Sequence, residues 1–96
     1  MKKFVFLYQG QSEVTDEVKE GWTAWFAEIG DAVVDGGNPF TPGRKVTPTG
    51  SEDLPAGLEA ISGYTIVNAE SMEAAEKLLA NCPIVTSVHV YEAVSM

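Results

Sequence analysis

The chain has 96 residues, 45% of them hydrophobic, with 6 Lys and Arg against 14 Asp and Glu and a net charge of -8. That length makes one domain, 1–96, and that hydrophobic fraction excludes intrinsic disorder. The negative charge repels phosphate backbones and anionic lipid, so neither nucleic acid nor a membrane is expected as a partner.

The first three residues, Met1-Lys2-Lys3, carry the charge of a signal peptide's start, but the apolar run Phe4-Val5-Phe6-Leu7-Tyr8 breaks at Gln9 and Gly10. A signal core needs ~7–15 apolar residues, and a membrane span ~20. The run instead predicts an amino-terminal strand in a cytoplasmic protein. Cys82 is the only cysteine, so no internal disulfide forms, which suits a reducing compartment. Phe4, Phe6 and Tyr8 share one side of the strand and Val5 and Leu7 the other. With both sides apolar, the strand is expected to be central and covered above and below.

A helix is predicted from Thr15 or Asp16, because Val18, Trp22, Trp25, Phe26 and Ile29 make one wide apolar stripe. Asp16 and Glu17 suit its amino end, and Gly30 is expected to stop it in a left-handed conformation. Gly21, inside the helix, costs about 1 kcal/mol relative to Ala and permits a close approach. Both tryptophans read as core. Beyond the helix, Ala32-Val33-Val34 is a short apolar piece, followed by the turn formers Asp35-Gly36-Gly37-Asn38-Pro39-Phe40. Neither the phosphate-loop Lys-Ser/Thr pair nor the dinucleotide glycine spacing is present here, and no cofactor is expected.

Arg44-Lys45-Val46-Thr47 is a candidate edge strand by its charge, and Thr49 to Ser62 reads as a long mobile connection. Tyr64 to Val67 is β-branched and aromatic, hence a strand. Ser71 is a plausible N-cap for a second helix whose Ala75, Leu78, Leu79 and Cys82 share a face, with Pro83 ending it. Val88 to Val94 closes the chain as a strand, with Val88, Val90, Glu92 and Val94 on one side and His89, Tyr91 and Ala93 on the other.

The order strand, helix, strand, strand, helix, strand is that of an α+β ferredoxin-like fold: a four-stranded antiparallel sheet with two helices on one face. Two helices leave the other face bare. A two-fold homodimer that stacks the bare faces is the simplest cover, with His89 and Tyr91 toward its lumen and Val88, Val90 and Val94 under the helices.

Several segments together resemble the YCII-related domain family: Phe4-Val5-Phe6-Leu7-Tyr8; Trp22-Thr23-Ala24-Trp25-Phe26 through Gly30; Val33-Val34-Asp35-Gly36-Gly37-Asn38-Pro39; Gly63-Tyr64-Thr65-Ile66-Val67 through Cys82-Pro83; and Val88-His89-Val90-Tyr91-Glu92. The resemblance spans most of the chain outside Thr49–Ser62 and implies a dimeric α+β barrel. Some branches of the family carry a histidine in the first helix, thought to work with an aspartate. Here that helix has Lys19, Trp22 and Trp25 and no histidine. Another branch has Asp-Gly-Pro-Phe before the third strand, where this chain has Glu59-Ala60-Ile61-Ser62. Neither site carries over.

Of the chemistry-bearing residues, His89 is the only histidine and the only candidate imidazole acid or base, yet Glu92 faces the opposite side of its strand. One His and one Cys show no metal-ligand spacing, and Cys82 reads as a packed apolar group. No serine has a nucleophile context; Ser71 is better explained as a cap. The reading that results is a homodimeric binding or interaction module for a small, largely apolar ligand oriented by Gln9, Asn38, Tyr64, His89 or Tyr91. The alternatives are a small enzyme using His89, and a partner whose acidic Glu70, Glu73 and Glu76 dock onto another protein.

Overall fold

Strand β1 (Lys2–Gln9) runs through the middle of a four-stranded sheet in the computed structural model, which describes all of residues 1–96. It pairs antiparallel with β5 (Ile61–Ala69) on one side and β6 (Ser87–Ala93) on the other, and β2 (Val33–Asp35) adds to the far edge of β5. Helix α1 (Asp16–Ile29) crosses between β1 and β2, and the short α2 (Met72–Lys77) between β5 and β6. The chain is thus an α+β fold of four antiparallel strands and two helices, compatible with the ferredoxin-like arrangement expected from the sequence.

The register decides which face is covered. Phe4 pairs with Val67, Phe6 with Thr65 and Val90, and Tyr8 with Val88, so these side chains share a face. With Trp25 and Ile29 of α1 and Ala75 of α2, they form the core, against which Leu78, Leu79 and Cys82 also pack. The opposite face carries Val5 between Ile66 and Tyr91, and Leu7 between Tyr64 and His89. So β1 is central but covered on one face only; Val5 and Leu7 are half-buried. Across its thinnest direction the Cα trace spans 18 Å, room for one sheet and one helix layer.

Both helices begin where side-chain caps allow. The Thr15 hydroxyl accepts from the Val18 amide, and the Ser71 hydroxyl from the Ala74 amide, each satisfying an otherwise orphaned donor. Gly21 lets α1 lie close to the chain after α2: an added Cβ would stand 3.3 Å from Pro83 Cγ. The Trp25 indole donates to the Leu78 carbonyl at 2.8 Å, tying α1 to the end of α2.

Five expectations need correction. Helix α2 ends at Lys77, so Leu78, Leu79 and Cys82 reach the core from a run of turns after it, and Pro83 does not end the helix. Gly30 is right-handed (φ -47°) and leads into a 3-10 turn, Gly30–Ala32, that delivers the chain straight to β2. The second strand of the sheet is Val33–Asp35, while Arg44–Thr47 (β3) pairs with Gly50–Asp53 (β4) in a separate exposed hairpin. Thr49–Ser62 is therefore not one long loop. Val94 lies past the end of β6 and is 70% exposed, beyond the reach of the helices that Val88 and Val90 do meet.

Candidate functional site

At the end of β1 and beside α1, the chain leaves a cavity of about 600 Å³. Val18, Trp22 and Phe26 of α1 form one wall, the segment Gly36 to Phe40 the opposite one, and Tyr8 with Ser62–Tyr64 the sheet side. Trp25 and Ile29 point to the core, whereas Trp22 and Phe26 lie on the flank of the same stripe and are only half-buried. One wide stripe thus serves two purposes. The aromatic rings brace each other: Tyr8 meets Trp22 edge-on at 5.0 Å between centroids, and Trp22 meets Trp25 likewise at 5.6 Å. Such pairs contribute ≈ 0.5–1.5 kcal/mol each beyond burial.

The opposite wall has no regular structure of its own and is held by the sheet. Tyr8 Oη donates to Thr65 Oγ1 at 2.6 Å, and Thr65 Oγ1 donates to the Gly36 carbonyl at 2.9 Å. Asp35 takes the Gly37 amide on Oδ1 (2.8 Å) and the Tyr64 hydroxyl on Oδ2 (3.2 Å). Gly37 has φ +77°, a left-handed conformation, and packs so tightly on the Tyr64 carbonyl that an added Cβ would overlap it. Phe40 donates its amide to Ser62 and stacks on the Tyr64 ring at 5.7 Å.

Burial pushes the Tyr8 hydroxyl well above the ordinary phenol range, an effect only partly opposed by its bond to Thr65. Tyr8 is neutral at any physiological pH. No Asp, Glu, Lys, Arg, His or Cys lines the cavity. It offers apolar walls and neutral hydrogen-bonding groups, a setting for holding a molecule more than for moving its protons.

Of the five residues the sequence offers as ligand-orienting, Asn38 and Tyr64 line this cavity and the other three do not. Gln9 is engaged as a clasp: its amide donates to the Glu59 backbone at 3.1 Å, and its oxygen accepts from Ser87 at 2.7 Å. His89 and Tyr91 are exposed on the bare sheet face, with His89 beside Leu7 and Tyr91 beside Val5. The structure therefore separates His89 from the cavity. Trp22, Phe26, Phe40 and Tyr8 are the residues that sequence reasoning missed. The signal for the helical pair was the width of the stripe, more than one core needs. Phe40 gave none, sitting among turn formers.

A second hollow of about 890 Å³ lies at the base of the β3–β4 hairpin, with Leu54, Leu58 and Ile61 in its lining beside the charged Arg44 and Glu59. No group of three His, Cys, Asp or Glu is placed to hold a metal ion. No helix is long and apolar enough to cross a membrane. Comparison with protein-family models, with curated proteins and with solved structures finds no match to this chain.

Proposed function

We propose that the protein is a homodimeric binding module that takes a small, largely apolar molecule into the cavity between α1 and the Gly36–Phe40 segment. The observation that carries this reading is the cavity itself: about 600 Å³, walled by Trp22, Phe26 and Phe40, within the size range of small-molecule sites. The second hollow suits the role less well, because Arg44 and Glu59 share its lining. The dimer is supported by the bare face, where Val5, Leu7 and Ile66 have no helix above them, and by a core of few residues, 11 of 96 being buried. Kinship with YCII-related domains is part of the same proposal. It rests on the residue pattern quoted above and on a strand order compatible with it.

A fragment screen read by amide proton–nitrogen correlation spectra tests the site. Bound fragments should move the amides of Gly36 to Phe40 and the Trp22 indole signal. Val14→Trp, an exposed position on the rim, should weaken those fragments without changing stability. A screen whose hits all map to the β3–β4 hollow, or that gives none, overturns the reading.

A further inference from the structure

The lining chemistry narrows the class of ligand, on the premise that the cavity is a binding site. A carboxylate or phosphate that gave up water to enter would meet no Lys, Arg or His in the lining, and the chain's net charge of -8 repels it before it arrives. A cation is drawn by that net charge, but inside it would find no carboxylate partner. Uncharged molecules enter without leaving an ion unpaired.

The polar groups narrow it further. Most of them are committed within the protein. The Tyr64 hydroxyl donates to Asp35, the Ser62 hydroxyl to the Tyr8 carbonyl, and the Gln11 amide bridges Phe40 and Gly57. Ser12 and Asn38 are the exceptions, both exposed; Asn38 stands on the Gly36–Phe40 wall, and its carboxamide, the larger of the two groups, takes no part in the bonds that hold that wall. A carboxamide presents two donors and an acceptor. The rings in the lining, Trp22 and Phe26 on the α1 wall and Phe40 on the Gly36–Phe40 wall, suit a flat molecule.

We infer that the cavity binds an uncharged, planar aromatic molecule carrying a hydroxyl, carbonyl or amide group that pairs with the Asn38 side chain. Three probes of one shape separate the alternatives: naphthol, naphthoate and naphthyltrimethylammonium, titrated while the Gly36–Phe40 amides and the Trp22 indole are followed. Naphthol should saturate these signals at a concentration at least roughly tenfold below either charged probe, since each ion enters unpaired. In Asn38→Ala, an exposed substitution that leaves the fold intact, naphthol should weaken by about fivefold to tenfold, the worth of one hydrogen bond. Equal or tighter binding of naphthoate or the ammonium probe at the same residues overturns the ligand class and leaves the cavity as a site. An unchanged naphthol affinity in Asn38→Ala overturns the pairing. If none of the three moves these signals, the binding reading itself falls, and this inference with it.

Discussion

Tyr8 and Thr65 are joined across the two central strands by a 2.6 Å hydrogen bond on the covered face of the sheet, and Thr65 passes its own proton on to the Gly36 carbonyl at 2.9 Å. The register puts Thr65 opposite Phe6, one step along from Tyr8, so the phenol reaches it diagonally. A fully buried threonine is thus satisfied twice, and a loop with no ladder bonds at Gly36 is fixed to the core through it. The cavity wall is an extension of the sheet's interior.

Replacing that threonine removes both bonds at once. In Thr65→Val the buried Tyr8 hydroxyl loses its acceptor and the Gly36 carbonyl its donor, which should cost about 1–3 kcal/mol in urea unfolding. Tyr8→Phe leaves Thr65 free to donate to Gly36 and should cost less, about 1 kcal/mol. Equal costs for the two variants would show that the second link of the chain carries no weight.

Two adjacent glycines make an internal control. Gly37 is left-handed and pressed on the Tyr64 carbonyl, so Gly37→Ala should lose at least the ~1–3 kcal/mol of a strained backbone position, and the cavity wall should shift with it. At Gly36 nothing lies within 4 Å of an added Cβ, and Gly36→Ala should stay within about 0.5 kcal/mol of the parent. Thermal unfolding of the two variants side by side decides this.

The elements legible in the sequence are those whose burial has a period. Phe4, Phe6 and Tyr8 alternate, Trp25 and Ile29 recur one turn apart, and Ser71 and Thr15 sit where caps belong. Strand β2 has only three residues, too short for alternation to register, so it passed for a fragment before a turn. The β3–β4 hairpin was misplaced for a different reason. Its strands bury nothing, and its signal is charge: Arg44 faces Asp53 at 3.2 Å and Lys45 faces Glu52 at 3.7 Å, mirrored about Pro48-Thr49. Read as a palindrome of charge, Arg44-Lys45 and Glu52-Asp53 would have paired the strands correctly. Both ion pairs are exposed and contribute little to stability. The cavity was half legible: Asn38 and Tyr64 could be proposed, but nothing in one dimension says that Phe40 lies across from Trp22.

Alkaline pH should unfold the protein through its buried acids. Burial pushes the Cys82 thiol from its ordinary 9.0 to about 12. Above about pH 9 the unfolded chain releases this proton while the folded chain keeps it, so stability falls as pH rises through that window toward 12. Tyr8, shifted in the same direction, adds to the decline from higher pH. Cys82→Ala should show a shallower decline than the parent between neutral pH and the onset of tyrosine ionisation. A thiol reagent should label native Cys82 slowly at neutral pH and quickly in denaturant. Parallel stability–pH curves for parent and variant would contradict the assignment.

The bare sheet face gives the test of the dimer. Leu7 sits between Tyr64 and His89 at the middle of that face, with Val5, Ile66 and Tyr91 in the next row. In a single chain Leu7 is half-buried with no helix above it, so a charge there still reaches water and Leu7→Glu should fold. In a stacked pair the same carboxylate is enclosed against its own copy, two like charges without partners. Dissociation should therefore become at least about 100-fold easier, roughly 2.7 kcal/mol, in sedimentation equilibrium. Glu70→Ala, exposed in the bend after β5 and outside the sheet, should leave the pair intact. Fragment binding at the Trp22 signal should persist in the Leu7→Glu monomer, because every residue lining the cavity comes from one chain. A parent protein that sediments as a monomer at every concentration would remove the dimer from the proposal and leave the cavity standing.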